Sequence, residues 1–424
     1  MAATRASPSG WQTVTLCFMV ALLEGFDLQS VGIAAAGIQA AFHLTPIELG
    51  WVFSAGLIGL LPGAFCGGLL ADRYGRKRVL LAAVLLFGLA SLATAMAFDL
   101  ASLLLARLLT GVGIGAALPM VIALASESAQ AHQRSMAVSV TFCGIPLGGA
   151  CAALAGMAGN SVDWHMVFYI GGYAPLGVAV LLAFMLPESR MFAQQARQVQ
   201  AGPGRSGRDA LAGLFAQGLM RPTLQLWLSS FFTLTVLYML MNWLPSLLLS
   251  HGLSRVQVGQ VQVLFNVGGA AGALVTGRLM DRLHGRRAVV LGYGAILLGL
   301  AGLGLAGSVA SILAAAAVVG YGLMGGQGIL YALAPILYPT RIRATGVGVS
   351  IAVGRLGSVS GPLLAAKLLG AGAGIGGIAV AVAPGILLAA ASAFSLLRSS
   401  ASQPRAPDSA STKESHSHET SRIS

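Results

Sequence analysis

Gly68-Leu-Leu-Ala-Asp72-Arg73-Tyr-Gly75-Arg76-Lys77-Arg78 sits between two long apolar stretches of this chain, and Gly277-Arg-Leu-Met-Asp281-Arg282-Leu-His-Gly285-Arg286-Arg287 repeats it in the second half. Each segment is a short basic connector with aspartate and glycine in like positions, so the chain is built as two similar halves. Around the connectors, apolar residues dominate: of the 424 residues 56% are hydrophobic and only 9% charged, whereas soluble domains are about a quarter charged. Lipid, not water, is the solvent that such a chain meets. A bilayer core takes about 20 apolar residues per helical span. Twelve stretches qualify, at 13–36, 48–70, 78–97, 101–124, 136–157, 165–186, 223–248, 257–277, 288–306, 309–332, 344–368 and 374–397.

The net charge of +12 would point a soluble protein toward nucleic acid, but here the connector cations lie, with one exception, in alternate connectors. One set of connectors holds Arg73, Arg76, Lys77, Arg78, Arg134, Arg190, Arg197, Arg205, Arg208, Arg221, Arg282, Arg286, Arg287, Arg341 and Arg343; the other holds only Arg255. Basic loops stay in the cytoplasm, so the first set and both termini are expected there, in a bacterial inner (plasma) membrane. The charge reports topology, and no nucleic-acid partner is expected. The expected layout is a cytoplasmic N-terminus (1–12), a six-helix bundle (13–186), a polar linker (187–222), a second six-helix bundle (223–397) and a disordered cytoplasmic tail (398–424). The first span carries Glu24 and Asp27 at its centre and no cleavage pattern, which marks a retained helix in place of a signal peptide. Cys17, Cys66, Cys143 and Cys151 all fall in apolar spans, as small packing residues. His416 and His418 lie in the tail and are read as solvated, so neither metal nor cofactor is expected.

A charge at the centre of a membrane helix costs on the order of 3 kcal/mol on insertion scales, which makes each one kept there informative. Glu24 and Asp27 are three apart and share a helical face. Mutual repulsion and desolvation favour a proton on at least one of them, as a proton-coupling pair requires. The plainer reading is that Asp27 partners Arg107, and the two are compatible if protonation releases that pair. Arg107 and Arg355 are the deep cations, each with a planar fork suited to a carboxylate. Either is a candidate ligand for an anionic substrate. Lys367, at a span end, snorkels to the interface. Gln29, Tyr238, Asn242, Trp243, Asn266, Gln327 and Tyr331 complete a candidate cavity between the bundles, with Gln327 and Tyr331 four apart on one face. In the basic connectors, Gly68 is expected to let two helices approach closely and Asp72 to pair with nearby cations. Such a pair latches one face shut, with Arg73, Gly75 and Arg76 in the first half and Asp281 and Arg282 in the second.

These connectors resemble the G-x-L-a-D-R-x-G-R-K signature of the major facilitator superfamily, complete in the first half and one residue longer before the glycine in the second. The resemblance implies two six-helix bundles around a central cavity, an all-α membrane fold. Glu24-Gly25-Phe26-Asp27-Leu28-Gln29 further resembles the acidic D-G-x-D element of the aromatic acid:proton symporters, with glutamate in place of the first aspartate. Arg107 to Pro119, Ala123 to Glu127, Pro187-Glu188-Ser189, Asn242-Trp243-Leu-Pro245, Tyr331 to Pro335 and Arg341 to Gly348 are similar to that family as well. It implies symport of protons with an aromatic carboxylate, a hydroxyphenylpropionate or hydroxybenzoate, with Glu24 and Asp27 in coupling or binding, Asp72 in the gate and Arg107 in the fourth span. Monomer is the expectation for such a bundle.

Three other classes compete. A proton-coupled exporter is the nearest, because Gly144-Ile-Pro146-Leu-Gly148-Gly149 partly resembles an antiporter element. A receptor would need a signalling domain larger than the linker or tail. An intramembrane enzyme would need a histidine deep in a span or a nucleophile triad, and neither pattern is present.

Overall fold

A computed structural model describes residues 8–130, 133–158, 163–188, 214–215, 218–282, 285–339 and 342–400. The expectations for the linker and tail, and for the side chains of Asp72, Asp281 and Arg282, therefore lie outside the described residues. Within them run twelve long helices and no strand: α1 (Pro8–Phe42), α2 (Pro46–Tyr74), α3 (Arg76–Ala95), α4 (Leu100–Ser128), α5 (Arg134–Ala158), α6 (His165–Met185), α7 (Met220–Ser250), α8 (Arg255–Arg282), α9 (Gly285–Leu305), α10 (Val309–Leu337), α11 (Arg343–Gly370) and α12 (Ile375–Ser400). All twelve are long and apolar enough to cross a bilayer. A helix closes its own backbone hydrogen bonds, which is why lipid selects it.

The predicted spans match these helices to within a few residues, except that several helices run well past the apolar core. The three shortest, α3, α6 and α9, have 20 or 21 residues, just enough to span. The helices nearest the bundle interface are longer, with 35 residues in α1 and 31 in α7. Three capping boxes start helices at one end of the molecule: Thr45 with Glu48, Asp99 with Ser102, and Ser308 with Ser311. Each satisfies helix-end N–H groups that no carbonyl reaches. The Ser102 hydroxyl and backbone N–H hold the Asp99 carboxyl below its ordinary range.

The two halves repeat one packing scheme. In the first, α1 packs on α4, α5 and α6, α2 on α4, and α3 on α4 and α6; in the second, α7 packs on α10, α11 and α12, α8 on α10, and α9 on α10 and α12. The bundles meet where α1 faces α7, α2 faces α11 and α5 faces α8, an arrangement with pseudo-twofold symmetry. Within a bundle, glycine permits backbone contact. A Cβ on Gly111 of α4 would lie 1.9 Å from the Gly56 carbonyl oxygen of α2, and one on Gly59 would lie 2.1 Å from that of Leu108.

The bundle interface is sealed at the arginine-poor end. The Ser54 hydroxyl donates to the Val359 carbonyl at 2.9 Å, Trp243 stands edge-on to Phe53 at 5.1 Å, and a Cβ on Gly32 would lie 2.6 Å from the Met241 carbonyl oxygen. At the arginine-rich end the cleft is open. Neither Gly68 nor Gly277 has any atom within 4 Å of where a Cβ would sit, and Phe65, Leu69 and Leu70 beside Gly68 are exposed.

The close approach expected at Gly68 is thus not made in this structure. Gly67 makes it instead, with its Cβ position 2.7 Å from the Ala116 Cα. Adjacent helical residues point about 100° apart, so Gly67 faces α4 while Gly68 faces the open cleft.

Gly111→Leu is expected to abolish a monodisperse peak in size-exclusion chromatography of the detergent-solubilised protein. Gly294→Leu, at a site with nothing within 4 Å, is expected to leave both peak and melting temperature unchanged.

Candidate functional site

The two acids of α1 lie one turn apart as expected, but their surroundings differ, and only Asp27 makes an ion pair. Asp27 points into its own bundle, where Arg107 of α4 donates from Nη1 to Oδ2 at 3.1 Å and to Oδ1 at 3.4 Å. Ser91 of α3 donates to the same carboxylate at 3.1 Å, and the Phe168 ring of α6 lies 5.7 Å from the guanidinium carbon. The pair is sealed, with Asp27 0% and Arg107 3% exposed. Arg107 thus meets a carboxylate of its own chain, the pairing that the plainer reading of Asp27 expected, while its Nε has no hydrogen-bond partner. Gly111, four residues on, keeps α4 close enough to α2 for this burial.

Glu24 lies one turn earlier and is 2% exposed. Its Oε2 has no hydrogen-bond partner. The cation whose field acts on it is Arg355 of α11, in the other bundle. Arg355 is half-buried, its Nη1 donates to the Tyr238 hydroxyl of α7 at 2.8 Å, and Tyr331 of α10 also lies within its field. The Gln327 amide donates to the Tyr331 hydroxyl at 2.9 Å, which confirms their shared face. One arginine is thus paired with a carboxylate inside a bundle, while the other bonds to a tyrosine hydroxyl and stands only in the longer-range field of Glu24.

The remaining polar residues divide by position. Asn242 folds back onto the Tyr238 carbonyl at 2.7 Å and Asn266 onto that of Gln262 at 2.8 Å, both as helix-local bonds. Trp243 donates to the Pro362 carbonyl at 2.9 Å, tying α7 to α11. Gln29 reaches across the interface, its Nε2 donating to Gln262 Oε1 at 3.0 Å, and both side chains are fully buried. Gln262 was not singled out by the sequence reading, although a glutamine within an apolar span is itself a signal.

At the arginine-rich end, Gly75 adopts φ 97° between α2 and α3, a conformation open to glycine that costs other residues strain. This turn starts α3 with its cations aimed at neighbours. Arg76 pairs with Glu127 of α4. The Lys77 ammonium donates to the Ala183 carbonyl of α6 at 2.8 Å, and its backbone N–H donates to Glu188 at 3.0 Å. Arg73 is exposed, its guanidinium carbon 5.3 Å from the Tyr74 ring centroid. The motif cations thus clamp α3 to α4 and α6 within one bundle. Glu127 and Glu188, which the sequence noted without a role, accept from Arg76 and from the Lys77 backbone N–H. All four cysteines are free.

The sequence matches the Major Facilitator Superfamily over residues 17–362 and 226–421. It is 51% identical over 393 residues to the 3-(3-hydroxy-phenyl)propionate transporter of Escherichia coli (strain K12), covering 92% of this chain and 95% of that protein. It is 36% identical over 394 residues to the 4-hydroxybenzoate transporter PcaK of Pseudomonas aeruginosa, covering 86% and 88%. The crystal structure of a D-xylose-proton symporter shares the fold at TM-score 0.77 and 17% identity, covering 92% of this chain and 98% of the other. With twelve bilayer-length helices in two like bundles and relatives that are transporters and not enzymes, this chain belongs to the major facilitator superfamily of multi-pass membrane transporters.

Proposed function

We propose that this protein carries an aromatic carboxylate into the cytoplasm together with protons, by alternating access, with Arg355 as the anion ligand and Glu24 as the proton carrier. The observation that carries this reading is that Glu24 is buried with Oε2 unpartnered while Arg355, in the other bundle, bonds to the Tyr238 hydroxyl and forms no ion pair among the described residues. Arg355 cannot give up its charge, so its field must be answered by some anion at every stage. When a substrate carboxylate takes Arg355, Glu24 loses its counter-charge in a water-poor place and is neutralised by a proton. When the substrate leaves through the open end, Glu24 returns its proton and faces Arg355 again. The two states differ by one substrate and one proton, which is what coupling requires. An anion entering against a negative interior is opposed by about 2.3 kcal/mol per 100 mV, and one co-transported proton cancels that charge.

Tyr238, Gln327 and Tyr331 supply hydroxyl and amide groups around Arg355 that suit a hydroxylated ring. The names of the relatives support this substrate class, 3-(3-hydroxyphenyl)propionate and 4-hydroxybenzoate among them. We assign the basic connectors to the cytoplasm of a bacterial inner membrane by the positive-inside rule, with both termini on that side. The open cleft then faces the cytoplasm. Closure at that end would bring Gly68 and Gly277 toward the opposite bundle, the state in which Asp72, Asp281 and Arg282 act as the latch. A single chain supplies both bundles, and we assign a monomer.

Asp27 takes a positioning role, holding Arg107 and α1 in place. This separates the two acids experimentally. In proteoliposomes, Glu24→Gln is expected to abolish accumulation of radiolabelled 3-(3-hydroxyphenyl)propionate driven by an inward proton gradient, while exchange of internal for external substrate persists. Asp27→Asn leaves a buried cation unpaired and is expected to lower stability by about 3–5 kcal/mol, read as a lower melting temperature. A wild-type melting temperature with lost accumulation would move the proton to Asp27. Outward movement of the acid under the same gradient would make the protein an exporter. Arg355→Lys keeps the charge without the fork, and at least a tenfold rise in KM for uptake is expected; an unchanged KM with Arg355→Lys would contradict the assignment.

A further inference from the structure

A cavity of about 430 Å3 lies at the sealed end, away from the Glu24–Arg355 couple, enclosed by α1, α5, α6, α7 and α8. This volume is in the range that takes a small organic ligand. Its walls are apolar, with Ile33, Val167 and Leu249 among them, and Trp164 adds a buried aromatic wall. Two cavity-lining residues of α8 carry the polar chemistry. Arg255 stands exposed at the start of that helix, and Gln262 is fully buried two turns deeper. Gln262 Nε2 has no hydrogen-bond partner, and neither does Oε1 of Gln29, which bonds to Gln262 across the interface. A buried amide N–H without an acceptor is costly, and a ligand hydroxyl in this cavity can accept from Gln262 Nε2, the amide that lines it. Asp163 also lines the cavity, engaged by the His165 ring that stacks on Trp164. Those His165 bonds hold the Asp163 carboxyl below its ordinary range, so Asp163 contributes a negative charge to the same lining as Arg255.

We propose that this cavity is a second, outer binding site for the transported acid, with Arg255 receiving the carboxylate at the mouth and Gln262 meeting the ring hydroxyl at the floor. The proposal rests on the aromatic-acid reading above. Seven residues separate Arg255 from Gln262, about 10 Å at 1.5 Å per residue. An arylpropionate with a ring hydroxyl, allowing for a hydrogen bond at each end, spans a comparable length. Occupancy would also bear on the gate, since a hydroxyl bonded to Gln262 competes with the Gln29 bond that helps seal this end. A molecule waiting outside would then loosen the closed face before it enters.

The test is equilibrium binding of radiolabelled 3-(3-hydroxyphenyl)propionate to the purified full-length protein in detergent, where both faces are accessible. Two molecules per chain are expected for the wild type. Arg255→Gln, and independently Ala155→Phe, which fills the cavity from a half-buried lining position, should each leave one. Arg355→Gln should also leave one, and adding Arg255→Gln to it should leave none. One molecule per chain in the wild type, lost with Arg355→Gln and untouched by Arg255→Gln and Ala155→Phe, would overturn the outer site and leave the transport reading standing. One molecule lost only with Arg255→Gln and Ala155→Phe would uphold the outer site and remove Arg355 from substrate binding. No binding at all would overturn both.

Discussion

A guanidinium group in a membrane interior cannot shed its proton, so it must be met by an anion, and this requirement organises the centre of the molecule. Two arginines lie deep in the helices, and both acids that answer them stand on α1, one turn apart. Asp27 answers Arg107 inside the first bundle, with Ser91 and the Phe168 ring completing the enclosure. Glu24 stands one turn away with Oε2 unpartnered, in the field of Arg355 of the other bundle. The Asp27–Arg107 couple is fully buried and holds four helices to each other. Arg355 bonds to the Tyr238 hydroxyl and forms no ion pair among the described residues, and in the function proposed above it is the arginine that takes a substrate carboxylate.

Packing reinforces the same division. Inside each bundle, glycines bring helix backbones into contact, as between Gly111 and Gly56, and such contacts leave little room for adjustment. Between the bundles, the seal relies on a few specific bonds, Ser54 to Val359 and Gln29 to Gln262 among them. Rigid bundles joined through a sparse polar interface can rock as units. The motif cations strengthen this separation, because Arg76 and Lys77 bind α4 and α6 of their own bundle.

Much of the fold was legible in the sequence because lipid allows so few solutions. Apolar runs of bilayer length must be helices, and the echo of Gly68–Arg78 in Gly277–Arg287 revealed the repeat. The residue types of the site were legible too, since charges inside a span are rare. Their pairing was not. Spacing along one helix says which residues share a face but not what lies opposite, so Glu24 and Asp27 read as one acidic pair, whereas the fold pairs Asp27 with Arg107 and leaves Glu24 Oε2 unpartnered. For the same reason the sequence could not rank Arg107 and Arg355 as anion ligands. Gly68 was read as a packing residue because glycine in a membrane helix usually is one, while its neighbour Gly67 makes the contact in this open state. Gln262 escaped because its partner, Gln29, is 233 residues away, a distance that no local pattern spans.

The central claim is that substrate and proton are linked through two residues, the substrate carboxylate taking Arg355 as the proton neutralises Glu24. Proton exchange on binding tests it most directly: purified protein in weakly buffered detergent at pH 7 is mixed with 3-(3-hydroxyphenyl)propionate, and the change in free protons is followed with an indicator dye. The account predicts uptake of about one proton per acid bound at Arg355, lost in Glu24→Gln. Saturable binding with no proton uptake, or uptake unchanged in Glu24→Gln, would contradict it.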